Sequence, residues 1–464
     1  MSEGKSQMLD NVLKAADTAL PAALDRLFAL LRIPSISTDT DYAAHCKTAA
    51  DWLVDDLRSI GFEASRRDTP GHPMVVAHHD GPGPHILFYG HYDVQPVDPL
   101  ELWNSDPFDP KIEETAAGKV IRGRGTADDK GQLMTFVEAC RVIKSETGAL
   151  PCKVTILFEG EEESGSPSLI PFLKANADEL KADFAMVCDT GMWDAQTPAI
   201  CTTLRGLVGE QVTIHAADID LHSGMFGGPA INPIRVLSKI LAALHDDDGK
   251  VTLPGFYDGV APLSNATRAA WDSLNFDADE YLGAVGLSQP AGEKGFTALE
   301  QNWARPTAEV NGIWGGYTGK GFKTVLPAKA HAKISFRLVG EQGPEAIRTA
   351  FRAHVNSMLP PDCTATFEEH GSSPATVLPS DDPAFAISAQ ALTDEWPNPA
   401  VFVGGGGSIP IVGHFQQILG MNSVMVGFGL DDDAIHSPNE KYNLESFRKG
   451  IRSWVRILNG LSKG

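Results

Sequence analysis

Val154-Thr155-Ile156-Leu157-Phe158-Glu159-Gly160-Glu161-Glu162-Glu163-Ser164-Gly165-Ser166 runs a short apolar stretch straight into four acids within five positions. The stretch has strand length and β-branched content, and a run of this kind bounded by Gly and polar residues reads as a buried strand. Carboxylates crowded at the end of such a strand repel one another and oppose folding unless protons or cations lie among them. A solvated acidic loop is the plainer alternative, but the apolar strand that feeds the loop argues against full exposure.

The same arrangement recurs along the chain. Residues 85–89 lead into Gly90-His91-Tyr92-Asp93-Val94, residues 184–188 end at Asp189-Thr190, and residues 423–428 precede Asp431-Asp432-Asp433-Ala434-Ile435-His436-Ser437-Pro438-Asn439-Glu440. Helical spacing of apolar residues covers 131–144 and 168–176 between these strands, with an opening helix over 9–31 stopped by Pro34 and a closing amphipathic helix over 444–461. Strands alternating with helices predict an α/β domain with a mixed, mostly parallel sheet covered by helices, and ligands of such sheets gather at the carboxyl ends of strands. Gly123-Arg124-Gly125-Thr126-Ala127-Asp128-Asp129-Lys130-Gly131 adds adjacent acids on a Gly-rich turn before a helix, which reads equally as a helix cap or as a cation site. A carboxylate such as Asp93, two residues past His91, can orient that imidazole.

Between about 207 and 381 the texture changes to alternating strand-like runs (209–215, 330–338), one helix (232–244) and a long irregular insert (246–306). The expected organisation is one α/β domain made from 1–206 and 382–464, interrupted by an inserted α+β domain over 207–381. A chain of 464 residues, 42% apolar and 21% charged, is long enough for two such cores.

The charge balance, 60 acids against 38 basic residues for a net −22, disfavours nucleic acid and anionic membrane surfaces as partners. Six scattered cysteines without a C-x-x-C pair suggest neither a disulfide framework nor a thiolate zinc site. With no apolar signal core at the N-terminus, the expected compartment is the cytoplasm.

Five segments that each deliver His, Asp or Glu, four past strands and one before a helix, meet the ligand requirement of a site for two zinc or manganese ions. These segments, in this order, resemble the metallopeptidase family of carnosine dipeptidases, aminoacylase, acetylornithine deacetylase, succinyl-diaminopimelate desuccinylase and glutamate carboxypeptidase. The likeness is closest to the cytosolic dipeptidase branch, through residues 159–166, Asp220-Leu221-His222-Ser223-Gly224 and His436-Ser437-Pro438-Asn439-Glu440. It implies that 1–206 with 382–464 form the catalytic domain and 207–381 a lid and dimerisation domain, and that Asp128 bridges two ions, with His91 and Asp189 on one and Glu163 and His436 on the other. It further implies that Glu162 is the general base, that Asp93 orients His91, and that the Asp128-Asp129 peptide is cis. His222 becomes a donor to the developing oxyanion, contributed across a homodimer interface, where the residues alone read as a turn before Ser223-Gly224. Arg337 becomes the group that binds the substrate's C-terminal carboxylate, helped by Thr324 and Ser408; an edge-strand Arg facing solvent is the competing view. Where the dipeptidases carry a charged pair before Gly-Gly-Ser-Ile-Pro, this chain has Val403-Gly404-Gly405.

The expected activity is hydrolysis of dipeptides or short peptides with a free carboxylate, using two divalent ions, zinc first with manganese or cobalt as alternatives. An N-acyl or N-carbamoyl amino-acid amidohydrolase is the rival within enzymes. A non-catalytic binding protein is the remote one, disfavoured because a pure binder has no use for an unligated Glu162.

Overall fold

The apolar run that opens the sequence reading forms the strand Lys153–Glu159, buried at every residue after the first. The computed structural model describes residues 2–116, 118–407 and 409–463. In it, Lys153–Glu159 lies beside His85–His91 in parallel register, which continues in parallel to Phe184–Val187 and then to Ser423–Val426. Antiparallel strands extend the sheet on one side (Met74–His79, Glu63–Arg67) and on the other (Ala199–Leu204). The centre of the sheet is thus parallel, and its four parallel strands point their carboxyl ends the same way.

Helices flank this sheet because its strands are apolar on both faces. Lys130–Thr147 lies on His85–His91 through Phe136, whose ring stacks on Phe88 with centroids 3.7 Å apart. Trp454 of the closing helix Leu444–Leu461 meets both rings edge-on, at 5.5 and 5.4 Å. Edge-to-face contacts such as those of Trp454 favour one packing arrangement over a fluid core. Lys130–Thr147 ends at Gly148, whose φ of 81° suits a residue without Cβ. The opening helix Ser2–Leu31 packs against Lys130–Thr147 and Leu444–Leu461.

The chain divides into two compact units, Met1–Thr202 with Leu378–Val403 and His414–Gly464, and Thr203–Val377 with Gly404–Gly413. The sequence reading placed 404–413 in the first domain. The segment instead belongs to the second unit because Arg205 holds it, the backbone N–H bonding Gly407 O at 3.0 Å and the side chain bonding Gly406 O at 2.8 Å.

The second unit contains a four-stranded antiparallel sheet, in the order Thr307–Gly315, Lys329–Leu338, Gly206–His215, Thr364–Ser373, with helices Pro233–Ala242 and Pro344–Ser357 packed on it. Alternate residues, including Val208, Val212, Ile214, Ile334 and Phe336, form its core. The insert expected to be irregular carries three short helices, Asn265–Asp272, Ala278–Gly283 and Ala298–Trp303. Each is started by a side-chain cap, from Ser264, Asp277 and the Thr297–Glu300 capping box. No helix among the described residues is long and apolar enough to cross a membrane.

Candidate metal centre

Each of the four parallel strands of the first unit delivers one part of a single cluster at its carboxyl end. His91 is the last residue of His85–His91, Glu162 and Glu163 follow Lys153–Glu159, Asp189 follows Phe184–Val187, and His436 lies on the loop after Ser423–Val426. Asp128 comes from the turn just before Lys130–Thr147, where the partial positive charge of a helix N-terminus favours a carboxylate. The Asp128-Asp129 peptide is cis, as the resemblance implied.

Two groups of three side chains form around Asp128. His91, Asp128 and Asp189 bring their ligand atoms within 4.8 Å of one another, and so do Asp128, Glu163 and His436. His91 Nε2 is 3.0 Å from Asp128 Oδ1, His436 Nε2 is 2.9 Å from Asp128 Oδ2, and His436 Nε2 is 3.2 Å from Glu163 Oε2. One carboxylate therefore turns an oxygen to each group. Two imidazoles and three carboxylates at this spacing make an oxygen and nitrogen donor set suited to zinc, manganese or cobalt.

The titration of these residues reflects that crowding. Burial raises Asp128, but hydrogen bonds from His436 and His91 overcome it and hold the acid well below the usual carboxylate range. The hydrogen bonds that His436 donates to Asp128 and Glu163 push the imidazole up to about 10. Burial pushes Asp189 well above its ordinary value, with His91 opposing and the neighbouring carboxylates adding. Glu162, in neither group of three, is raised to about 7, chiefly by burial.

Of the four crowded acids, two are used as scaffold. Glu159 accepts a hydrogen bond from Tyr89 Oη at 2.7 Å, and Glu161 accepts from the backbone N–H of His72 (2.7 Å) and Ser168 (2.9 Å). Those contacts turn Glu159 and Glu161 into the fold and leave Glu162 and Glu163 for the cluster. Asp93, fully buried, accepts from the backbone N–H of Glu163 at 3.0 Å and of Glu162 at 3.3 Å, and its Oδ1 lies 3.4 Å from His91 Nδ1. The nearer partner of His91 Nδ1 is the Asp93 carbonyl, at 3.1 Å. Asp93 thus meets His91 Nδ1 with both its backbone carbonyl and its side chain, and its carboxylate also pins the loop of Glu162 and Glu163.

Sequence reasoning missed Gln95, whose Nε2 donates to Glu163 Oε2 at 2.7 Å, and Glu440, whose carboxylate receives the backbone of the Asp128 turn. Gln95 gave no signal beyond lying two residues past Asp93. Glu440 stood inside the His436 motif, four residues past that histidine, where an acid without a ligand role could have been asked for its donors.

His222, Thr324 and Arg337 lie in the second unit. His222 and Thr324 are neighbours: Leu221–His222 pairs with Val325–Leu326, and Ser223 N–H bonds Thr324 O at 3.0 Å. His222 is exposed, and its Nδ1 accepts from Gly224 N–H at 3.0 Å. Arg337 is half-buried on Lys329–Leu338, a strand flanked on both sides, so the edge-strand alternative does not hold. Ser408 lies outside the described residues.

Comparison with known proteins agrees with this geometry. The chain is 30% identical to the Cys-Gly metallodipeptidase dug1 of Schizosaccharomyces pombe, over 98% of each. It is 28% identical to the human Beta-Ala-His dipeptidase, covering 80% of this chain and 74% of that protein. Among solved structures it resembles the dipeptidase Dug1p of Saccharomyces cerevisiae (TM-score 0.82, 28% identity, 98% of this chain and 99% of that one). It also resembles the M20 family metallo-carboxypeptidase Sso-CP2 of Sulfolobus solfataricus (TM-score 0.84, 28% identity, 95% and 99%). A profile of peptidase family M20/M25/M40 matches residues 87–460, a span that starts in the strand carrying His91 and runs past His436, and the chain belongs to that family.

Proposed function

We propose that this chain hydrolyses the peptide bond of dipeptides or very short peptides with a free C-terminal carboxylate, using two divalent ions held around Asp128. The observation that carries the reading is the pair of three-residue groups sharing Asp128, with Glu162 beside them and in neither. The dipeptidase names of the similar proteins support the substrate class.

His91, Asp128 and Asp189 would hold one ion, and Asp128, Glu163 and His436 the other. Ions bound there polarise an amide carbonyl and bring a water's pKa toward neutrality. Glu162 takes a proton from the attacking water on its carboxylate and delivers it to the departing amine nitrogen. In the metal-free chain burial raises this carboxyl to about 7, above its ordinary value. Asp93 fixes the Glu162 backbone so that the base stays in place.

Arg337 is assigned to the substrate carboxylate, which a guanidinium fork binds in two places, with Thr324 and Ser408 assisting. His222 is assigned as the oxyanion donor, supplied by the second copy of a homodimer. Zinc is the ion proposed, with manganese and cobalt as alternatives, and the cytoplasm is the proposed compartment.

Glu162→Gln keeps the shape of the side chain and removes its basicity. Turnover of Ala-Ala-type dipeptides should fall by about 10²–10⁴, while elemental analysis still finds two ions per chain. Full activity in the variant would remove Glu162 from the mechanism. Exclusive turnover of N-acetyl amino acids by the unaltered protein would replace the dipeptidase reading with the amidohydrolase one.

A further inference from the structure

Glu440 closes the motif that begins at His436, yet neither of its oxygens belongs to the two ligand groups. The carboxylate is fully buried and accepts four hydrogen bonds. Oε2 accepts from Arg124 Nη1 (2.7 Å) and Gly125 N–H (3.0 Å), and Oε1 from Ala127 N–H (2.9 Å) and Asp128 N–H (3.1 Å). Its own backbone carbonyl accepts from Gly123 N–H at 3.1 Å. The turn that presents Asp128 is therefore moulded on one side chain from the other end of the chain.

The loop that carries Glu440 needs an anchor. Ala434, His436 and Asn439 have φ of 56°, 63° and 66°, a region that residues with a Cβ enter seldom and at a cost. Asn439 ties the outer side of the loop, its side chain accepting from Asn104 N–H and donating to Leu102 O, both at 2.8 Å. Glu440 ties the inner side.

We propose that Glu440 is a positioning residue that holds His436 and Asp128 in mutual register, so that the Asp128–Glu163–His436 group can close on an ion. An ionised carboxylate offers about four lone-pair sites and no donor, which matches the four donors here. The charge is compensated by Arg124, which is itself buried and donates to Pro96 O at 3.0 Å. A glutamine has one acceptor oxygen, and its NH₂ would face two of the four donors, leaving buried N–H groups unsatisfied.

The inference rests on the two-ion reading, and cobalt(II) titration of the chelated full chain, followed by calorimetry and visible absorption, separates the two. The unaltered protein should take up two ions. Glu440→Gln, which retains all five ligand side chains, should bind one of them about 10–100-fold more weakly, with the other less affected. Glu440→Asp keeps the charge but is one methylene shorter and should fall between; it supplies the same reading if the glutamine variant does not fold. Unchanged affinity for both ions would overturn the role of Glu440 and leave the two-ion reading standing. Equal weakening of both ions, or failure of both variants to fold, would overturn it in favour of a role in the fold alone. No uptake by the unaltered protein would overturn both.

Discussion

Glu162 and His436 show how one cluster sets two titrations, and both have a consequence for stability when chelator removes metal. Glu162 is raised from its ordinary 4.5 to about 7, so its contribution is complete below pH 4.5 and is lost as pH rises through 7. His436 is raised from 6.5 to about 10, so its contribution is complete below pH 6.5 and lost as pH rises through 10. Asp128 is depressed, and its contribution fails only in strong acid. The melting temperature of chelated protein should therefore fall steadily from about pH 5 to pH 10 relative to metal-loaded protein, in which cations replace the protons. A difference that stays constant or narrows with rising pH would refute the assignment. At this scale the pattern of apolar strands and helix starts marked the segments that carry His91, Asp128, Glu163, Asp189 and His436, and the family resemblance named the residues within them. The pattern alone could not say which of the four crowded acids face the cluster, since that depends on Tyr89, His72 and Ser168, donors distant in sequence from the acids they satisfy.

Strand His85–His91 and helix Lys130–Thr147 carry His91 and follow Asp128, and Phe88 and Phe136 are the rings by which they touch. Phe136→Ala removes a fully buried ring stacked on Phe88 and set edge-on to Trp454. It should cost about 3–5 kcal/mol of stability, measured by denaturant unfolding of the metal-free protein; a loss under 1 kcal/mol would mean the site collapses around the gap. Long elements were readable because their periodicity is long: the closing helix occupies Leu444–Leu461, the range expected. Shorter or more polar ones were not. Glu63–Arg67 is a strand despite four polar residues in five, because its backbone completes the edge beside Met74–His79. The helices of the 246–306 insert have six to eight residues, too few for a periodic signal.

At the scale of the whole molecule, the α/β sheet with its ligands at carboxyl ends was legible, because it follows from alternating strands and helices. The assignment of 404–413 was not, because it depends on Arg205, about 200 residues away in sequence. The account stands on two ions sharing Asp128. The most direct measurement is an anomalous-difference map from crystals grown with zinc. It should show two peaks per chain, one among His91, Asp128 and Asp189 and one among Asp128, Glu163 and His436, with both absent in Asp128→Ala. Peaks elsewhere, a single peak, or two peaks that persist without Asp128 would contradict it.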